Sequence, residues 1–142
     1  MAGLVAKADI DIAAPVSSVW HALTDPDVIA SYFFGTRVET DWKPGSPIVW
    51  RGEYQGRPYE DKGEILEADT NRRLAVTHFS PMTGLPDEPQ NYHTVTYDLR
   101  ERDGTTHLSL SQDNNGDQTE ADRASATWAA MLDGLKRTVE NT

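Results

Sequence analysis

The feature that most constrains this chain is its last stretch, where apolar residues return at helical spacing along a single stripe. Ala121, Ala124, Trp128, Met131, Leu132, Leu135 and Val139 fall on one side, with Glu120, Asp122, Arg123, Asp133, Lys136, Arg137 and Glu140 mostly elsewhere. The pattern predicts an amphipathic helix over 118–140. Asp117 is placed to cap its start, with Glu120 three residues on to reach back, and Lys136 and Arg137 sit near the end that the helix dipole makes negative. Such a helix is about 30 Å long. Its apolar stripe must be covered, and the rest of the chain offers one large partner for it.

That partner is a run of strands. Between Thr36 and Asn114, period-two segments at about 36–41, 47–54, 58–69, 72–79, 92–102 and 105–113 are separated by turn residues such as Lys43-Pro44-Gly45, Gln55-Gly56, Asp69-Thr70-Asn71 and Asp103-Gly104. The last of these joins the clearest hairpin, with His93, Val95, Tyr97 and Leu99 on one face and Leu108 and Leu110 returning beside them. Ahead of these, Leu4 to Ile12 alternates as another strand. Ala14-Pro15 then opens a short helix carrying Val16, Val19, Trp20 and Leu23, and Thr24-Asp25-Pro26 ends it, with Asp25 placed to cap a second short helix. Short loops make neighbouring strands antiparallel. The expectation is an α+β helix-grip fold: one domain over 1–142, a curved antiparallel sheet of about seven strands wrapped around the long C-terminal helix, with two short helices after the first strand.

Composition removes several classes of function. The 23 Asp and Glu outnumber the 13 Lys and Arg for a formal charge of −10, the wrong sign for duplex nucleic acid or an anionic membrane. There is no cysteine, which removes disulfides, thiol catalysis and thiolate metal sites. No apolar run approaches the roughly 20 residues that span a bilayer. Residues 1–7 lack the basic and apolar pattern of a secretory signal, so a cytoplasmic location is expected.

The wording of the sequence adds to its pattern. Ala14-Pro15 followed by Val19-Trp20-His21-Ala22-Leu23-Thr24-Asp25-Pro26, then Tyr32-Phe33, Lys43-Pro44-Gly45, Gly63-Glu64-Ile65-Leu66-Glu67, Arg72-Arg73-Leu74, Val95-Thr96-Tyr97-Asp98-Leu99 and Trp128 to Lys136 stand in an order that resembles the START-like (SRPBCC) superfamily. Within it, the C-terminal segment resembles the branch named after the activator of the ninety-kilodalton heat-shock-protein ATPase. The resemblance covers nearly the whole chain and implies a fold and a cavity rather than a reaction, because this superfamily serves lipid carriers, hormone receptors, cyclases and co-chaperones. Two departures stand out. His78 occupies a position where members often have Trp, and the loop from Ser80 to Asn91 carries three prolines.

Few residues suggest chemistry of their own. His21 and His107 fall at exposed phases, whereas His78 and His93 share the inward phase and flank the proline-bearing loop. They lack a third ligand at metal-binding spacing, so neither metal nor cofactor is expected. No serine elbow, phosphate loop or complete calcium loop is present. Adjacent carboxylates such as Glu60-Asp61 and Asp87-Glu88 read as solvated faces of an acidic chain. The aromatics say more: one helix cannot fill the hollow of a curved sheet, and the residual pocket would be mostly apolar with a few polar tips. Trp128, Met131 and Leu132 are expected to line it from the long helix, Trp20 from the first helix, and Trp50, Tyr59, His78, His93, Tyr97 and Leu110 from the sheet.

The expected function is therefore binding of a hydrophobic or amphipathic small molecule, a lipid or an aromatic metabolite. The alternatives are a cyclase- or dehydratase-like enzyme using His78, His93 or Tyr97 as acid or base, and a co-chaperone-like interaction module. A homodimer is compatible with each.

Overall fold

The computed structural model describes residues 4–141, the side chain of Tyr54 excepted; residues 1–3, part of the segment read for a signal, lie outside it. In chain order the elements are β1 (Leu4–Ile12), α1 (Val16–Thr24), α2 (Pro26–Tyr32), β2 (Arg37–Glu39), β3 (Pro47–Tyr54), β4 (Arg57–Asp69), β5 (Arg73–His78), β6 (His93–Arg102), β7 (Thr105–Asn115) and α3 (Gln118–Glu140). The seven strands form one sheet in the order β1-β7-β6-β5-β4-β3-β2, each pair antiparallel. The α+β helix-grip arrangement expected from the sequence is what the chain adopts.

Local chemistry sets the element ends. Asp117 caps α3 by accepting a hydrogen bond from the Glu120 N–H at 2.8 Å, and the Glu120 carboxylate reaches back to the Gly116 N–H at 2.7 Å. Asp25 caps α2 by accepting from the Asp27 N–H. Three details differ from the sequence reading. Pro15 stands just outside α1, as its N-cap, rather than at the first helical position. The strand expected over 36–41 shrinks to β2, because the chain turns away at Trp42 and Gly45, both at positive φ. The hairpin strand expected to end at 113 continues to Asn115.

Strand β4 makes the bend that curls the sheet. Its first part, Arg57 to Glu64, pairs with β3, and from Ile65 to Asp69 it pairs with β5, with a register shift between Ile65 and Glu67. Gly63 lies at the changeover, where the β5 backbone comes so close that a Cβ would sit 1.7 Å from the Thr77 carbonyl oxygen. The Glu64 N–H turns instead to the Thr77 hydroxyl at 2.9 Å.

The long helix is fastened along one edge of this curl. Among the described residues no strand pairs with the outer edge of β1, and side chains of α3 take up backbone groups along it and just beyond its end: Ser125 Oγ accepts from the Lys7 N–H, Lys136 Nζ donates to the Asp11 carbonyl at 2.8 Å, and Glu140 accepts from the Ala13 N–H at 2.7 Å. The helix contacts the sheet mainly through β1 and β7. Its C-terminal half supplies Leu132 and Leu135, fully buried with Ile12, Ile65 and Leu108 in the core.

The Glu140 contact carries a pH dependence. Hydrogen bonds from Lys136 first, and from the Ala13 N–H, hold its carboxyl below the ordinary carboxylate value. A depressed folded-state value means the contribution is complete above the unfolded value and is lost as pH falls through the folded one. Glu140→Gln is therefore expected to flatten slightly the fall in Tm below about pH 5, with little change near neutrality beyond the loss of an exposed contact. Thermal melts across that range check it; identical acid limbs in the two proteins count against the contact.

Candidate functional site

A cavity of about 370 Å³, partly open to solvent, lies between the N-terminal half of α3 and the concave face of the sheet. Helix attachment at the β1 edge accounts for its position. Fixed there, α3 covers β7 and leaves the hollow over β3 to β6 unfilled. The helix residues facing this hollow, Glu120, Arg123, Ala124, Thr127, Trp128 and Met131, recur at helical spacing. Small Ala124 stands where, three turns on along the same face, the helix carries Leu135.

The sheet side is built by alternation. Trp50 of β3, Tyr59 and Asp61 of β4, Val76 and His78 of β5, and Val95 and Tyr97 of β6 face inward, while Phe33, Phe34 and Thr36 border the cavity from the segment after α2. Aromatic edges set several of these rings. Trp50 meets His78 edge to face at 5.0 Å, and Trp128 meets Phe33 at 6.0 Å and Tyr97 at 6.4 Å in the same manner. Tyr59 lies over Gly52, where an added Cβ would fall 2.5 Å from its hydroxyl, and that hydroxyl lies 2.6 Å from Thr36 Oγ1. At Gly52 the missing side chain is what lets the ring lie down.

Besides the Thr36–Tyr59 pair and the Glu120, Arg123 and Thr127 side chains of α3, two hydrogen-bonded groups of polar side chains meet the cavity. On the β7 side, Trp128 Nε1–H donates to Gln112 Oε1 at 2.7 Å, Gln112 Nε2 donates to Asn115 Oδ1 at 3.2 Å, and Asn115 Nδ2 donates to the Leu4 carbonyl at 2.8 Å. This chain of bonds is internally complete. On the β4–β5 side, His78 Nε2 lies 2.9 Å from Asp61 Oδ2, with the two side chains 28% and 15% exposed. A carboxylate accepts only, so Nε2 is the donor in this pair. The second carboxylate oxygen, Asp61 Oδ1, is buried and has no hydrogen-bond partner among the described residues. Burial pushes the Tyr97 hydroxyl well above the ordinary phenol value, so it stays protonated and able to donate near neutral pH.

Of the ten residues expected to line a pocket, the structure brings six to this cavity: Trp50, Tyr59, His78, Tyr97, Trp128 and Met131. The other four lie elsewhere. Leu132 and Leu110 are buried in the core, Trp20 packs half-buried against that core, and His93 lies beside His78 on the neighbouring strand, outside the cavity lining. The two imidazoles stack at 6.4 Å, and His93 Nδ1 is held by the Asp113 carbonyl at 2.8 Å. His21 is exposed beside Asp25, as its phase suggested, and His107 is half-buried beside Asp9 and Asp11, away from the cavity. Asp61 overturns the reading of Glu60-Asp61 as a solvated pair. It shares the inward phase of Tyr59, a signal that alternation along β4 already held. Trp128 offers the cavity no free donor, since Gln112 takes its N–H. No group of three or more His, Asp or Glu among the described residues is arranged to hold a metal ion, and no described helix is long and apolar enough to cross a membrane.

Comparison with known proteins places this geometry in company. The family model described as "Activator of Hsp90 ATPase homolog 1-like protein" matches residues 13–140. No curated protein matches the chain. Among solved structures, ChR145 from Cytophaga hutchinsonii is 45% identical over 99% of this chain and 97% of its own, with a TM-score of 0.87. The Aha1 dimer from Colwellia psychrerythraea is 17% identical over 96% of both chains, with a TM-score of 0.75. DynU16, a protein of the dynemicin biosynthetic locus, is 22% identical over 96% of this chain and 47% of its own, with a TM-score of 0.78. The last two likenesses concern the fold alone.

Proposed function

The chain belongs to the Activator of Hsp90 ATPase homolog 1-like protein family, and from that premise we propose that it binds a hydrophobic or amphipathic small molecule, with aromatic character, in the cavity between α3 and the sheet. The observation that carries the reading is the cavity itself, about 370 Å³ walled by Trp50, Tyr59, Tyr97 and Trp128. A volume of that order lies within the range of small-molecule sites, which run from about 300 to 1,000 Å³. Its apolar wall supplies the driving force, and its few polar atoms supply orientation. DynU16, from the dynemicin biosynthetic locus, shares the fold that forms this cavity.

Filling the cavity tests it. Ala124 is a small, half-buried residue facing the hollow from α3. Ala124→Trp is expected to abolish uptake of a neutral apolar dye such as Nile red while leaving the far-ultraviolet spectrum intact. Emission from Trp50 and Trp128, which wall the cavity, should shift on titration of the unsubstituted protein, and native mass spectrometry of freshly purified protein should show retained ligand. Equal dye binding by the filled variant would sink the proposal.

A second reading draws on His78 and Asp61, since an imidazole fixed by a carboxylate beside a bound molecule is the equipment of proton transfer. It deepens the binding function into catalysis, and it requires that a bound carbonyl compound be converted faster with His78 than with His78→Gln.

A further inference from the structure

The proposed ligand site has an uneven supply of hydrogen bonds, and the imbalance describes the ligand. Asn115 and Gln112 on the β7 side satisfy each other and Trp128, and Thr36 satisfies Tyr59. Asp61 Oδ1 is the one buried side-chain polar atom without a partner among the described residues. A buried carboxylate oxygen left unmatched costs more than an ordinary missing hydrogen bond, because the charge has also lost its water. The oxygen is not free to turn away. His78 holds its twin, Oδ2, at 2.9 Å, and Trp50 packs edge to face on His78 at 5.0 Å.

Resting on the cavity as a ligand site, we infer that Asp61 Oδ1 is the receptor for the ligand's polar head, and that this head is a hydrogen-bond donor, a hydroxyl or an ammonium carried on an aromatic skeleton. The surrounding rings fit either donor. Trp50 and Tyr59 offer faces and edges to an aromatic body, and aromatic faces also favour a cation. A carboxylate head is excluded at this end, since it would bring a second negative charge against a poorly hydrated first. A free fatty acid is thereby disfavoured with its anionic head against Asp61.

One skeleton with four heads tests the inference: 2-naphthol, 2-naphthylmethylammonium, 2-methoxynaphthalene and 2-naphthoate, each titrated at neutral pH by tryptophan emission or calorimetry. Hydrogen bonds to charged groups are worth roughly tenfold or more in affinity. At least one donor-bearing probe should therefore bind about tenfold tighter than both 2-methoxynaphthalene and 2-naphthoate. Which donor wins separates the hydroxyl from the ammonium.

Asp61→Asn sharpens the test without altering side-chain volume. Its carbonyl oxygen is claimed by His78 Nε2, so its amide N–H₂ stands where Oδ1 stood, a donor in place of an acceptor. The preference should fall to within about threefold or reverse in favour of the two acceptor probes. Donor and methoxy probes binding the unsubstituted protein equally, or a donor preference that survives in Asp61→Asn, would overturn the inference while leaving the ligand site standing. Failure of all four probes to bind would overturn both.

Discussion

Gly63→Ala is expected to be among the most damaging single substitutions in the protein, although it adds only a methyl group. The new Cβ would lie 1.7 Å from the Thr77 carbonyl oxygen and 2.6 Å from its carbon, distances that only backbone movement can relieve. Both atoms belong to β5, which is paired on its other side with β6 from Arg73–Asp98 to His78–His93, so β5 cannot simply step back. Overpacking of well-packed interiors costs typically 1–3 kcal/mol. A backbone collision at a bend fixed by neighbouring strands should reach or exceed the top of that range, about 3 kcal/mol, and lower Tm by roughly 10 °C in a chain of this size. Denaturant unfolding checks the figure, and a loss below about 0.5 kcal/mol, the scatter of neutral surface changes, would show that the bend yields.

The consequence extends to the cavity. Asp61 lies two residues before Gly63 and His78 one residue after Thr77, so the close approach of β4 and β5 is what brings the carboxylate and the imidazole to 2.9 Å. Any Gly63→Ala protein that still folds should have lost part of the donor preference attributed to Asp61, since the strands can accept the methyl only by separating. Gly52 is the milder counterpart. The atoms a Cβ would meet there belong to the movable ring of Tyr59 rather than to backbone.

The outline of the molecule was legible in the sequence because its largest elements are also its most regular. The bounds of α3 follow from a stripe with a capping aspartate before it, and the β6–β7 hairpin from strict alternation across Asp103-Gly104. What escaped depends on contacts between distant segments. Both Met131 and Leu132 belong to the stripe of α3, yet Met131 reaches the cavity and Leu132 the core, a distinction set by where β1 anchors the helix rather than by periodicity. His93 has the inward phase expected of it, but it lies beside His78 across the β5–β6 pair and is tied to the Asp113 carbonyl, outside the cavity lining. Asp61 was hidden by composition, since in a chain rich in acidic residues one more carboxylate attracts no notice. Its alternation with Tyr59 was the available signal, and its partnership with His78, 17 residues away, was not readable from spacing.

The contrast between Met131 and Leu132 yields the other large effect. Leu132 is completely buried and its side chain fills the core where α3 crosses the sheet and the two short helices. Leu132→Ala should cost about 2–5 kcal/mol, the lost burial plus the closed void left behind, because residues on several elements would all have to move to refill it. Met131 is just as inaccessible, at 2% exposure, but it forms part of the cavity wall. Met131→Ala therefore opens its void into space that already exists, and a ligand can occupy it. Leu132→Ala should lower Tm by about 10 °C while the affinity ranking of the naphthalene probes stays the same. Met131→Ala should widen that ranking toward bulkier skeletons such as pyrene or anthracene derivatives. Measuring Tm and probe affinities on the two variants side by side decides the matter. If Leu132→Ala is the one that changes which skeletons bind, the division of α3 into a core half and a cavity half is wrong.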